Sequence, residues 1–264
     1  MALTDADVFY WWAVDQDFHF RKLAIARLSV LQGWKLARHE YLSLNSAGRA
    51  SVLQASIQYG TGGYRSRNRD THDRDLDALR QSLSHATVRT DWARAKLYIA
   101  LTYESTKQFS LAREHFDAIV VNQCTDDDLI WQAKWGSARC IERLYPEGDA
   151  RVVESFVALQ KLNATRAEPL LALSRHAQAL GSLDAAVTLA REARHCRVPT
   201  IFQTSMYDHA AYTWYREAML VDAYLSRQRR GDRFRARSHA ELALTHLTLP
   251  DEQRSRLITL ANQA

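Results

Sequence analysis

The stretches GSLDAAVTLAREA (residues 181–193) and GDRFRARSHAELA (residues 231–243) decide how this sequence is read. In both, a glycine is followed at identical offsets by three alanines: Gly181 by Ala186, Ala190 and Ala193, and Gly231 by Ala236, Ala240 and Ala243. Glycine suits the left-handed backbone that ends a helix. Alanines four and three residues apart fall on one face of the helix that follows. A face of such small side chains lets a neighbouring helix come close. The pattern therefore predicts helical hairpins, each with a tight turn and a second helix packed back on the first.

Further out, Tyr103, Phe109, Ala112 and Phe116 lie at the separations that tetratricopeptide (TPR) motifs use for aromatic and small residues. A middle unit, from about Leu129 to Leu162, fits two helices split near Pro146-Glu147-Gly148, and Pro250 reads as a stop after a later helix. Upstream, Leu76, Leu79 and Leu83 repeat with helical period. Only nine Gly and four Pro occur in 264 residues, fewer than a turn-rich sandwich or barrel would use. The expected fold is mainly α. It is a TPR-like right-handed solenoid of helical hairpins over 76–264, after a short β-containing segment at 1–62 and a linker at 63–75. The β reading rests on Val8-Phe9-Tyr10-Trp11-Trp12 and Phe18-His19-Phe20; Leu23 to Leu31 fits strand or helix, and Gly60-Thr61-Gly62-Gly63 reads as a turn.

A net charge of +5 permits an acidic partner without requiring one. Cys124, Cys140 and Cys196 lie far apart, outside any metal-ligand spacing, and are expected as reduced, buried thiols of a cytoplasmic protein. The start, Met1-Ala2-Leu3-Thr4-Asp5, lacks the basic and apolar regions of a signal peptide, and no apolar run reaches the ~18 residues of a membrane span.

Several short motifs share an order. Phe20-Arg21, Arg27-Leu28, Gly33-Trp34-Lys35 and His39-Glu40-Tyr41-Leu42 come first, then Gly62-Gly63-Tyr64-Arg65-Ser66-Arg67. Thr165-Arg166-Ala167-Glu168-Pro169-Leu170, Tyr212-Thr213-Trp214 and Leu249-Pro250 follow. In that order they resemble the end of the catalytic domain and the TPR-like tail of family-2-type glycosyltransferases of the GT-A fold. The resemblance implies sugar transfer from a nucleotide sugar, with His39 or Glu40 near the acceptor as general base or as a metal ligand. It also implies that the donor-binding half, with its metal-holding Asp-x-Asp, is missing. Asp5-Ala6-Asp7 has that spelling, but no strand precedes it to present it. No cofactor is expected in this chain, and Mn or Mg would enter only with a complete catalytic half.

Other candidates concern partners. Trp131 and Trp135 share a helical face and could line a groove or pack between repeats. Tyr207, Tyr212, Trp214 and Tyr215 offer the same two readings. Arg227 to Arg237, including Arg229 and Arg230, form the densest basic cluster; its readings are an anion contact or a solvated hairpin rim, with Phe234 buried by the repeat. Two functions follow. One is a glycosyltransferase-related protein, incomplete alone, whose TPR-like domain binds an acceptor or partner protein. The alternative is a non-enzymatic scaffold holding a peptide or protein segment in its concave groove. Nucleic acid is not an expected partner.

Overall fold

A computed structural model of the chain describes the backbone of residues 8–15, 18–26, 31–35, 41–44, 50–58, 70–122, 124–200, 204 and 206–263, with side chains from 71 to 262 within those ranges. It divides into two compact units, Met1–Leu144 with Thr200–Tyr207, and Tyr145–Pro199 with Asp208–Ala264.

The first unit opens with strands β1 (Val8–Asp15), β2 (Phe18–Ala26), β3 (Leu31–Lys35), β4 (Tyr41–Leu44) and β5 (Ala50–Gln58). These segments are dense in aromatic and β-branched residues, which fit a pleated surface. β1 pairs antiparallel with β2, Trp12 opposite Arg21, and parallel with β5. β3 and β4 form a separate antiparallel pair. A three-residue strand from far down the chain, β6 (Met206–Asp208), completes the larger sheet, whose order is β5-β1-β2-β6.

Helices α1 (Asp70–Ser84), α2 (Arg89–Ser105), α3 (Phe109–Val121) and α4 (Asp127–Leu144) follow in this unit. The second unit holds α5 (Ala150–Leu162), α6 (Ala167–Ala179), α7 (Leu183–His195), a 3₁₀ turn at Ala210–Tyr212, α8 (Trp214–Arg227), α9 (Asp232–Leu244) and α10 (Asp251–Gln263). Consecutive helices pack as hairpins: α2 with α3, α6 with α7, α8 with α9.

One device recurs in every second helix. Ala112, Phe116 and Ile119 on α3 are wholly buried, as are Ala186, Ala190 and Ala193 on α7. Val152, Phe156 and Leu159 on α5 and Ala236, Ala240 and Ala243 on α9 are at most 1% exposed. Each triad keeps the same four-then-three spacing, and each is the seam on which its partner helices pack. This is a TPR-like helical-hairpin array, as the glycine–alanine frame indicates.

Two of the hairpin turns are alike. At Gly181, φ is 72°; Ser182 N–H donates to Ala177 O at 2.8 Å and Gly181 N–H to Gln178 O at 2.9 Å. The α2–α3 turn makes the same pair of bonds, Gln108 to Tyr103 and Lys107 to Glu104, both at 2.9 Å. Its left-handed residue is Lys107, at φ 62°. A side chain there costs about 1–2 kcal/mol relative to an unstrained backbone, so the turn forms because the paired helices enforce it.

Bulk at the seam is matched by its absence opposite. A Cβ on Gly136 of α4 would lie 2.3 Å from the Phe116 ring. At the other end, α10 buries Leu257 completely and leaves Ile258 exposed, and Arg254 donates to the Leu244 and His246 carbonyls at the end of α9. No helix among the described residues is long and apolar enough to cross a membrane.

Gly136→Ala should destabilise the chain by about 1–3 kcal/mol through overpacking, read as a lower urea midpoint at unchanged slope. Adding Phe116→Leu should recover part of the loss; a fully additive double variant would show that the two sites do not share this contact.

Candidate partner-binding faces

His39 and Glu40 lie outside the described residues, as do Asp5 and Asp7. Of the aromatic candidates, Trp131 is 4% exposed, Tyr207 4% and Trp214 8%, so these rings are largely packing residues. Trp135 is half-buried, stacked on Trp131 at 5.8 Å with the Arg139 guanidinium over its ring. Phe234, expected inside, is 75% exposed. It lies on the side of α9 away from Ala236, Ala240 and Ala243, and the helix has only one seam.

The basic cluster is half neutralised by three carboxylates. Arg227 grips the fully buried Asp232 with two bonds of 2.9 and 2.8 Å, and Arg235 adds a third at 3.0 Å. Arg227 and Arg229 both reach Asp184 in the first turn of α7, and Arg237 pairs with Glu241. The hydrogen bond from Arg227 holds the Asp232 carboxyl far below the usual carboxylate range despite its burial. Arg229 and Arg230 themselves are exposed. These arginines close the α8–α9 turn, leaving a far weaker anion surface than their number suggests.

A second buried network holds α6 to the 3₁₀ turn. Arg166 donates to both Glu168 oxygens at 3.1 and 2.6 Å, the Tyr212 hydroxyl donates to Glu168 at 2.6 Å, and Ala167 N–H donates to that hydroxyl. Arg166 and Glu168 side chains are 5% and 2% exposed. Burial, then the Glu168 charge, push the Tyr212 phenol far up, so it stays a donor. Between α7, α8 and α9, Glu217 accepts from Arg194 at 3.0 Å and from His239 at 2.6 Å. Burial works to raise its carboxyl, but the bond from His239 and the charge of Arg194 prevail and hold it low.

One face of the second unit is less complete. On α6, Leu171, Arg175 and Gln178 form a stripe toward α8. The Arg175 guanidinium, 39% exposed, donates to the Tyr215 hydroxyl at 3.3 Å and lies 3.8 Å from Glu147. Trp214 meets Tyr215 edge-on. The Trp214 indole Nε1 and the Gln178 Nε2 are both buried and neither has an acceptor. Sequence reading found Trp214 here but missed Arg175 and Gln178, whose only signal is their shared helical period.

The first unit has its own polar cluster, also missed. Arg80 donates to the Tyr103 hydroxyl at 2.9 Å, the Tyr103 ring stacks on His115 at 5.5 Å, and Lys96 Nζ lies 3.3 Å from His115 Nδ1. Burial, then Lys96 and Arg80, lower His115 to about 4. Nearby, Arg139 ties α4 to α2 through both oxygens of Glu104, and the buried Cys140 thiol is pushed up to about 12. Cys196 is only half-buried, and all three thiols are free. Among the described residues no group of three His, Cys, Asp or Glu could hold a metal ion.

No protein-family model and no curated protein matches this sequence. The chain is similar to TTC0263, a TPR protein of Thermus thermophilus, at 15% identity and TM-score 0.48, over 72% of this chain and 90% of that one. It is similar to MamA at 16% identity and TM-score 0.48, over 75% and 99%. A third is YrrB, a TPR protein with an unusual peptide-binding site, at 13% identity and TM-score 0.44, over 74% and 85%. These are TPR proteins and no glycosyltransferase is found, which overturns the glycosyltransferase resemblance and the nucleotide-sugar chemistry it implied. The motif residues have a structural reason instead. Arg166, Glu168 and Tyr212 form the buried network, and Trp214 and Leu249 are buried.

Glu168→Gln should cost about 3–5 kcal/mol by leaving Arg166 buried without its counter-charge, and Tyr212→Phe about 1–3 kcal/mol, both from denaturant titration. A second expectation concerns acid. An unfolded imidazole protonates near about 6.5, whereas folded His115 stays neutral down to about 4. Between those values the unfolded state binds more protons, so stability falls as the pH drops. In His115→Gln that part of the decline should vanish when urea midpoints are compared across this window.

Proposed function

We propose that this chain is a TPR-like scaffold that binds a peptide or protein segment along the α6–α8 face. The observation that carries this reading is the donor excess there. Trp214 Nε1 on α8 and Gln178 Nε2 on α6 lack acceptors, and the half-exposed guanidinium of Arg175, one turn from Gln178, reaches across to the Tyr215 hydroxyl. A buried donor without an acceptor costs about 1–3 kcal/mol. An extended segment brings a row of carbonyl oxygens, and the half-buried Tyr215 offers it aromatic surface of the kind enriched at interfaces. Hairpin arrays display such stripes on neighbouring first helices, which is how solenoids form extended binding surfaces.

Selection of peptides from a displayed random library on the whole purified chain tests this. The selected peptides should share a sequence pattern. Calorimetry should show Arg175→Gln and Tyr215→Phe each weakening them by roughly tenfold, about 1.4 kcal/mol. Unrelated selected sequences, or affinities indifferent to both substitutions, would remove this face as the binding site.

A further inference from the structure

In the first unit, three helices bring three basic groups together, and the acid paired with them among the described residues is the exposed Asp77 beside Arg80. Arg80 comes from α1, Lys96 from α2 and His115 from α3, linked as Arg80–Tyr103–His115–Lys96 by contacts of 2.9, 5.5 and 3.3 Å. Arg80 spends one arm on the exposed Asp77 at 3.2 Å. Lys96 pairs with no carboxylate among the described residues. Its contacts are the His115 nitrogen and the face of Trp92, 5.5 Å from the ring centre. An ammonium has three donors and no acceptor, so the imidazole must accept at Nδ1. Lys96 is thus a half-buried cation held by a neutral base and a π face.

Its neighbours show how unusual this is. On the same helices and α4, Arg94 pairs with Asp126 at 3.5 Å, Arg113 with Asp117 at 3.3 Å and Arg139 with Glu104 at 2.6 Å. Burying part of a charge without a counter-charge is unfavourable, and here the fold supplies acids to the arginines and none to Lys96. We propose that this cluster is a docking site for an acidic peptide segment, with an Asp or Glu carboxylate received by Lys96 and Arg80 beside Trp92 and Tyr103. The site suits a single carboxylate better than a phosphate chain, because Asp77, one turn from Arg80, and the exposed Glu114, next to His115, would repel a continuous polyanion. It does not depend on the α6–α8 reading, since it involves other residues and another chemistry.

The test is fluorescence anisotropy of a labelled Gly-Ser peptide carrying one central Glu with the full chain, beside the same peptide carrying Gln for Glu. The Glu peptide should bind and the Gln peptide should not. Lys96→Gln and Arg80→Gln should each weaken binding about tenfold, or 1.4 kcal/mol, while leaving the melting temperature within a few degrees of the parent's. Equal binding of the Gln peptide, or indifference to both substitutions, would overturn the proposal. So would more effective displacement by inorganic phosphate than by acetate at equal concentration, which marks a phosphate site. Displacement by single-stranded RNA with a steep salt dependence would mark a nucleic-acid site and overturn it equally.

Discussion

Close approach between helices governs this molecule, and the second helix of each hairpin sets it. Where the seam is Ala186, Ala190 and Ala193, partner helices can pack against bare backbone. Where it is Ala112, Phe116 and Ile119, the facing helix must withdraw its own side chain, and α4 does so with Gly136. The two solutions conserve the same contact by moving the volume from one partner to the other. Interiors packed like organic crystals permit little else. Polar ties are then built around the seams: Arg227 on Asp232, Arg166 and Tyr212 on Glu168, Arg139 on Glu104.

Those ties decide which surface is free for function. A basic cluster looks like a strong anion site only until its acids are counted, and Asp184, Asp232 and Glu241 offset half of the six arginine charges between Arg227 and Arg237. The same count gives the opposite answer at Lys96, a single lysine in an unremarkable stretch of sequence. At the α6–α8 face the imbalance is one of hydrogen bonds. In all three places charge and donor bookkeeping in three dimensions, rather than local density along the chain, separates structural groups from those able to recognise something else.

What the sequence made legible was whatever depends on neighbours a few residues away. Gly181 and Gly231 announce turns, the alanines that follow announce a seam, and Pro146-Glu147-Gly148 announces a break between helices. Exposure of aromatic rings was less legible. Trp131, Tyr207 and Trp214 proved buried and Phe234 proved exposed, because the side of a helix that is covered depends on neighbours distant in sequence. The Lys96 cluster was invisible for the same reason, since its members come from three helices. The ordered motifs around Arg166, Glu168 and Tyr212 were recognised as a pattern but given the wrong cause. They are tied by a buried carboxylate, and packing demands can imitate the signature of a catalytic family.

The strand at Met206–Asp208 gives the chain a temporal property. β2 finishes at Ala26, yet the neighbour on its outer side is made only after seven of the described helices have been synthesised. An unpaired strand edge invites pairing with other chains, and contacts between segments so far apart in sequence are slow to form. A nascent chain therefore carries this sheet with its β2 side open until Met206–Asp208 has been made. Ribosome-bound intermediates that end before Thr200 should be the most aggregation-prone form of this protein, and an early strand whose edge is sealed by a late one acts as a check that the intervening helices have been made.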